Sequence, residues 1–104
     1  MYGTIYRMQP RLGQEQAVLE RIERWGQERQ AGVAGYINGY VLQSASSPDE
    51  LIGIAIFDSQ ATYASNSDDP AQNQWYQQLR VLLKDDPEWK DGEITESRGE
   101  PRGL

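Results

Sequence analysis

The first residues of the chain alternate between two faces, with large side chains at every second position of the segment Tyr2–Met8. A period of two in β-favouring residues predicts a strand, and Pro10 and Gly13 predict the turn that ends it. Between residues 14 and 30 the period changes to that of a helix, with acidic side chains opposite an apolar stripe. The stripe consists of Val18, Leu19, Ile22 and Trp25. This pattern predicts an amphipathic helix with its tryptophan on the buried side.

Two further strands are predicted in the middle of the chain. The stretch GYINGYVL alternates again and places Tyr36, Asn38, Tyr40 and Leu42 on one face. The stretch LIGIAIF, residues 51–57, is apolar on both faces. A strand of this kind is typical of the centre of a sheet that is covered on both sides.

Two helices are predicted after the third strand. Ser59 is suited to cap a short helix, and Asp69 followed by Pro70 offers an N-cap and a first-turn proline for a second one. In the helix that begins at Pro70, large apolar side chains fall at i, i+4 and i+7. They are Trp75, Leu79 and Leu82. Aromatic stripes at helical spacing usually mean packing, so Trp75 is interpreted first as a core residue and second as a ligand contact.

The predicted helix that begins at Pro70 cannot continue past Pro87. A short last strand is predicted at residues 92–97. Residues 1–97 form one predicted domain, and the glycine- and proline-containing tail 98–104 is predicted to be flexible. The order βαββαβ in 104 residues predicts an α+β, ferredoxin-like fold. Its antiparallel four-stranded sheet has the order 4-1-3-2, with both helices on one face.

The charge balance and the absence of two residue types restrict the chemistry. Sixteen acidic against ten basic residues give a net charge of −6, without a basic cluster, so nucleic acids and anionic membranes are poor partners. The chain has no cysteine and no histidine. Disulfides, Cys or His metal ligands, imidazole bases and a proximal His for haem are therefore excluded, and no metal site is expected.

The start of the chain lacks a basic stretch followed by an apolar one, and no segment approaches the roughly 20 apolar residues that a membrane helix needs. A cytoplasmic protein is therefore expected.

Four stretches carry a resemblance to a known family: YGTIYRMQPRLG, AGVAGYINGYVL, IGIAIFDSQATYA and WYQQLRVLLKDDPEWKDGEI. With these stretches the chain resembles the antibiotic biosynthesis monooxygenase-like family of dimeric α+β barrels. The resemblance implies a homodimer in which two sheets pack face to face, with a small pocket in each subunit between sheet and helices. Family members include oxidoreductases that oxidise phenolic polyketides or dihydroquinones without a cofactor, so no cofactor is expected here. Other members degrade haem with an Asn, Trp and His set, and the missing histidine argues against that activity.

The best candidate site from the sequence is Asn38 between Tyr36 and Tyr40 on one strand face, facing the same side as Tyr6 and Thr4. Polar groups on an apolar wall suffice to hold an aromatic substrate and to stabilise its anion, and Asn38 is the candidate catalytic residue. Gly53 and Ala55 of the third strand could leave room, if the register places them on the same face. The full set of candidate substrate-binding residues is Tyr6, Arg7, Tyr36, Asn38, Tyr40 and Trp75.

Two alternatives stay open at this level. The tyrosine-rich face could be the dimer interface instead of a pocket, because tyrosines give large contact area. Arg7 alternates with Tyr6 and points to the opposite face, where it could pair with a carboxylate or with an anionic ligand. The function is accordingly either that of a cofactor-independent monooxygenase acting on aromatic or quinol-type molecules, or that of a non-catalytic dimer that binds a small hydrophobic molecule or serves as an accessory protein.

Overall fold

A computed structural model describes residues 1–99, which form a four-stranded antiparallel sheet and three α-helices. In chain order the elements are β1 Tyr2–Met8, α1 Glu15–Glu28, β2 Tyr36–Gln43, β3 Leu51–Phe57, α2 Gln60–Ser67, α3 Pro70–Arg80 and β4 Glu88–Glu93. A short 3-10 helix, Gln30–Gly32, follows α1. The strand order is β2-β3-β1-β4, which confirms the predicted α+β, ferredoxin-like arrangement. Residues 100–104, most of the predicted flexible tail, lie outside the described residues.

The register of the central strand pair decides which side chains face the helices. Met8 lies opposite Leu51, Tyr6 opposite Gly53 and Thr4 opposite Ala55. Thr4 and Met8 of β1 and Leu51 of β3 are almost fully buried. Ile5, whose side chain points to the opposite face of β1, is 49% exposed. The helices therefore cover the face that carries Thr4, Tyr6 and Met8, and the other face is open in the single chain.

The hydrophobic core lies at one end of this two-layer arrangement, where Met8 and Leu51 meet the helices. Its fully buried members are Met8, Val18, Leu51, Leu79 and Leu83. Trp75 packs against this cluster and is itself only half buried. The core fills the space between sheet and helices at that end, so the remaining space toward the other end is available for a cavity.

Both predicted helix caps are present. The Ser59 hydroxyl accepts a hydrogen bond from the Thr62 backbone amide at 3.2 Å, and the Asp69 carboxylate accepts one from the Ala71 amide at 2.8 Å. Pro70 stands in the first turn of α3, where its missing amide hydrogen leaves no helical bond unmade. The local sequence thus fixes where α2 and α3 begin.

Two predicted boundaries are wrong. Helix α3 ends at Arg80, so Leu82 does not continue its stripe. The next residue, Leu83, forms an isolated bridge with Pro10. The last strand is Glu88–Glu93 and not residues 92–97. All six of its residues are exposed, so no apolar alternation marks it, and it is defined by its backbone pairing with β1.

A β-bulge near the start of β2 overturns a further expectation. Tyr36 pairs with Phe57 but Asn38 pairs with Ile56, so Ile37 is an extra residue on this strand. Because alternation has a period of two, one inserted residue moves all later side chains to the opposite face. Tyr36 therefore faces the helices, whereas Asn38 and Tyr40 belong to the open face. The prediction that these three share one face is wrong.

Candidate ligand-binding cavity

A cavity of about 510 Å³ lies between the sheet and the helices. Its floor is a transverse row of small side chains, in which Thr4 of β1 lies beside Ala55 of β3, and Ala55 beside Gly39 of β2. Larger residues on either side of this row, at Tyr6 and Phe57, leave a depression between them. The volume is within the range of small-molecule sites, roughly 300–1,000 Å³.

Two glycines let tyrosine rings lie close to the sheet at this floor. A Cβ atom at Gly53 would collide with the ring of Tyr6, and one at Gly39 would collide with the hydroxyl of Tyr36. Gly53 and Ala55 thus share the Tyr6 face, which is the register that the sequence left open. Any side chain at either glycine would push a tyrosine away from the sheet.

Aromatic rings form the walls, and all three tryptophans of the chain line the cavity. The ring centroid of Trp25 lies 5.0 Å from that of Tyr36 and 6.3 Å from that of Trp75. Across the floor, Trp89 lies 4.9 Å from Tyr6. These separations are in the range of favourable aromatic pairs, so the walls are stabilised by the protein itself and present apolar surface to a ligand.

The indole N–H groups of two wall residues are bound within the protein. Trp75 Nε1 donates to the Arg21 carbonyl at 3.0 Å, and Trp25 Nε1 donates to Gln72 Oε1 at 2.7 Å. These hydrogen bonds fix the orientation of both rings. Each contact also joins α1 to α3, so the helices are tied together above the cavity.

Within residues 1–99, no charged side chain lines the cavity, although a quarter of the chain is charged. Its polar lining consists of hydroxyl groups and carboxamides. The carboxamides are Gln30, Asn66, Gln72 and Asn73. Burial, with a smaller contribution from Tyr36, raises the pKa of Tyr6 to about 12, and burial also raises the pKa of Tyr36 and of Tyr76. These tyrosines are therefore neutral at physiological pH and act as hydrogen-bonding groups, not as bases.

One carboxylate is connected to the cavity through two lining hydroxyls. Thr4 Oγ1 donates to Asp91 Oδ1 at 2.6 Å, and the Tyr63 hydroxyl donates to the same oxygen at 3.1 Å. Thr4 is 3% exposed, and Asp91 is exposed to solvent. Burial is the main cause that raises the pKa of Tyr63. The arrangement links the cavity to solvent by way of a hydroxyl and a carboxylate.

Arg29 lies behind the cavity wall, where α1 meets the junction of α2 and α3. Its Nη2 donates to Asn66 Oδ1 at 3.3 Å and lies 3.6 Å from Asp69 Oδ2. Its side chain is 20% exposed. The guanidinium thus orients a lining carboxamide without itself entering the cavity.

The structure brings together only some of the residues predicted as a site. Tyr6, Tyr36 and Trp75 line the cavity, and Tyr40 borders it from a strand position that belongs to the open face. Asn38 does not line it. This residue is 8% exposed on the face opposite to the helices, and its Oδ1 has no hydrogen-bond partner among residues 1–99.

Arg7 also lies away from the cavity, on the open face. It forms an ion pair with Glu50 and lies 3.6 Å from Glu88. The carboxylate pairing weighed for this arginine is therefore what the structure shows. Arg7 remains 56% exposed, so the ion pairs contribute little to stability.

Several lining residues share no motif and were not predicted from the sequence. They are Trp25, Tyr63, Asn66, Gln72, Asn73, Tyr76 and Trp89. The sequence pattern predicts Trp25 only as a buried helix residue. The one signal that these residues share with the rest of the site is residue type, since all three tryptophans of the chain line the cavity.

Within residues 1–99, no group of three or more His, Cys, Asp or Glu side chains is arranged to hold a metal ion. None of the helices in the same residues has the length and apolar character needed to cross a membrane.

Comparison with known proteins establishes the fold. No protein-family model matches the chain, and no curated protein matches it either. Among solved structures, one from Deinococcus radiodurans superposes with a TM-score of 0.80 at 16% identity over 95% of this chain and 97% of its own. One from Nitrosomonas europaea gives 0.77 at 17% identity over 92% and 100%, and one from Chloroflexus aurantiacus gives 0.76 at 20% identity over 94% and 96%.

All three of these structures are described as a "putative antibiotic biosynthesis monooxygenase". The chain has the fold of these monooxygenase-like proteins, and the fold resemblance that the sequence indicated is confirmed. At these identities the likeness does not extend to a substrate.

Proposed function

We propose that this protein binds a small, uncharged aromatic molecule in the cavity and oxidises it with molecular oxygen, without a metal or organic cofactor. The observation that carries the proposal is the composition of the cavity wall, which is rich in aromatic rings and contains no charged side chain within residues 1–99. Flat apolar molecules gain most from such a wall. The similarity in fold to the monooxygenase-like structures supports the reaction type.

Cofactor-free oxygenation requires an electron-rich substrate that can reduce oxygen once it has lost a proton. The protein has to bind this substrate, accept the proton and exclude water. Trp25, Trp75 and Trp89 hold the aromatic ring. The substrate hydroxyl donates to the Tyr63 oxygen, and Tyr63 in turn passes its own proton to Asp91, which is open to solvent.

Asn38 receives no role at the ligand in this proposal, because its side chain lies on the opposite face of the sheet. Arg7 receives none for the same reason. The ligand contacts retained from the sequence prediction are Tyr6, Tyr36 and Trp75, with Tyr40 at the border.

The experiment that tests the proposal is oxygen uptake by metal-free protein against a panel of anthrones, dihydroquinones and catechols. Uptake above the buffer rate, with stoichiometric product, is the expected result. Tyr63→Phe keeps the ring but removes the hydroxyl and should slow the reaction about 100-fold or more. Normal turnover by Tyr63→Phe would refute the proton route.

A second candidate function is non-catalytic binding of a hydrophobic molecule. The same absence of charged lining groups favours it, since no ionised base within residues 1–99 touches the cavity. Saturable quenching of tryptophan fluorescence by panel compounds, without oxygen uptake for any of them, would support this candidate. Uptake with any of them would reject it.

We also propose that two copies of the chain pair through the open face of the sheet. This face carries a contiguous group of partly exposed apolar side chains. They are Ile5, Tyr40, Leu42, Ile52, Ile54 and Ile56. Monomeric proteins rarely expose such a patch, and two sheets can pack face to face at about 10 Å.

Light scattering on a gel-filtration peak tests the dimer. Ile54 lies at the centre of the patch, and Ile54→Glu should convert a dimeric mass into a monomeric one, because an unpaired buried charge disfavours the interface strongly. Leu12→Glu is the matched control, since Leu12 is 92% exposed in a turn. A monomeric mass for the unaltered protein at micromolar concentration would contradict the dimer.

A further inference from the structure

The floor of the cavity and the centre of the open face are built from consecutive residues of the same three strands. The floor row is Gly39, Ala55 and Thr4. The row beside it, one residue away on each strand, is Tyr40, Ile54 and Ile5. Side chains of the second row point to the open face, because successive residues of a strand alternate. One residue spans about 3.3 Å, so little more than the sheet backbone separates a bound ligand from whatever covers the open face.

Strand β2 connects the two surfaces most directly. Tyr40 and Ile54 border the cavity, although both stand on the open face. β2 is an edge strand, and within residues 1–99 its one hydrogen-bonded neighbour in the sheet is β3. The bulge at Ile37 further interrupts this pairing. Because β2 carries Tyr36 and Gly39 into the cavity, the shape of the site at this end depends on how the strand is held.

A second copy of the chain is the partner that suits the β2 and β3 half of the open face. The strip on this half consists of Tyr40, Leu42, Ile52, Ile54 and Ile56. Arg7, Glu88 and Lys90 stand on the other half. An uncharged strip can pack on its own copy without opposing like charges, and an apolar centre beside charged groups is typical of interfaces. Asn38 Oδ1, buried on the same half, is a polar group that the single chain leaves unpaired within residues 1–99.

We propose that the ligand site is complete only in the dimer, because the partner copy packs on Tyr40 and Leu42 and thereby fixes the strand that carries Tyr36 and Gly39. This inference rests on the proposed roles of the cavity and of the open face, and it links them. Each subunit binds its ligand more tightly in the dimer than alone. The coupling is reciprocal, so the ligand must also tighten the dimer. Couplings of this kind amount to about 5- to 150-fold, and we expect about tenfold per site.

The test measures the coupling in both directions with 2-naphthol, an uncharged aromatic probe, in the absence of oxygen. Leu42→Glu and Ile5→Glu place a charge on the open face from two different strands, and neither residue lines the cavity. Both variants should be monomeric by light scattering and should bind 2-naphthol about tenfold more weakly by calorimetry. Leu12→Glu, which places its charge in an exposed turn, is the control and should remain dimeric with unaltered affinity.

The reverse direction uses the unaltered protein, so local damage by a substitution cannot imitate it. Saturating 2-naphthol should lower the dissociation constant of the dimer about 100-fold, that is tenfold for each of the two sites. Sedimentation velocity across a dilution series measures this constant with and without the probe.

Four results would overturn the inference. They are equal affinity of dimer and monomeric variants for 2-naphthol, a dimer dissociation constant that the probe leaves unchanged, a monomeric unaltered protein, and no binding of the probe. Since binding is measured without oxygen, an intact coupling in a protein that shows no oxygen uptake would reject the oxygenase proposal alone. Oxygen uptake by the monomeric variants with the KM of the unaltered protein would reject the coupling alone.

Discussion

The contact between Gly53 and Tyr6 gives a sharp prediction, because the floor of the cavity depends on it. The three atoms nearest to a Cβ built at Gly53 are Cζ, Cε2 and Oη of the Tyr6 ring, and each would overlap with it. Gly53→Ala must therefore displace the ring from the sheet and into the cavity. We expect both lower stability and weaker ligand binding.

The size of the effect follows from the packing. Overpacking of a filled site destabilises by about 1–3 kcal/mol. Displacing Tyr6 also disturbs its aromatic pair with Trp89, whose ring centroid lies 4.9 Å away. Such a pair contributes about 0.5–1.5 kcal/mol, which we count as part of the destabilisation by overpacking. Gly92→Ala is the matched control, because a Cβ there meets nothing within 4 Å. Both glycine substitutions reduce the conformational entropy of the unfolded chain, which stabilises the folded state by about 0.4–1 kcal/mol, and the control measures this effect alone.

The assay is urea unfolding at one fixed protein concentration, carried out as a double-mutant cycle with Tyr6→Ala. Once the ring is removed, the collision cannot occur, so Gly53→Ala should have the same small effect as Gly92→Ala. The expected coupling energy is about 1–3 kcal/mol. Additive effects of the two substitutions would refute the proposed contact and, with it, the packing inferred for the cavity floor.

Three further predictions concern the cavity wall and its link to solvent. Tyr6 has a pKa of about 12 in the folded protein against about 10 when unfolded, so the folded state binds the proton more tightly. The associated stability, about 2–3 kcal/mol, is present below pH ~10 and lost as the pH rises toward ~12. Urea unfolding at about pH 9 and 11 should show this loss, and Tyr6→Phe should reduce it. Trp75→Phe removes the hydrogen bond to the Arg21 carbonyl and should lower the free energy of unfolding by about 1 kcal/mol, and no change would show that this bond is not needed. Asp91→Asn should lower kcat about 100-fold with ligand affinity unchanged, and turnover should recover above the pH at which the substrate ionises by itself. An unaltered kcat for Asp91→Asn would exclude it as the proton acceptor.

Much of the fold followed from local features of the chain. The alternation in β1, the continuous apolar run of β3 and the apolar stripe of α1 predicted these elements close to their observed bounds. Ser59 and Asp69 placed the starts of α2 and α3. The lack of histidine and cysteine restricts the chemistry whatever fold the chain adopts. The strand, helix and cap signals depend on residues near one another in the chain, which is why the sequence could report them.

The position of the site depended on contacts between distant residues. The bulge at Ile37 separates Tyr36 from Asn38, and no signal in the strand pattern marks it, because a shift of one residue changes the faces without changing the composition. The row of small residues appears only when the register aligns three strands. Thr4 and Asp91 are 87 positions apart and meet because β4 pairs with β1.

By itself, then, the sequence determined the βαββαβ order, the helix starts and the residue types available for chemistry, since these are properties of local pattern and composition. The tertiary structure decided where the aromatic side chains and carboxamides converge, which of their polar atoms are already paired and which remain for a ligand. Register, bulges and side-chain pairing across the fold set those outcomes, and each depends on free-energy differences between arrangements that share the same local sequence.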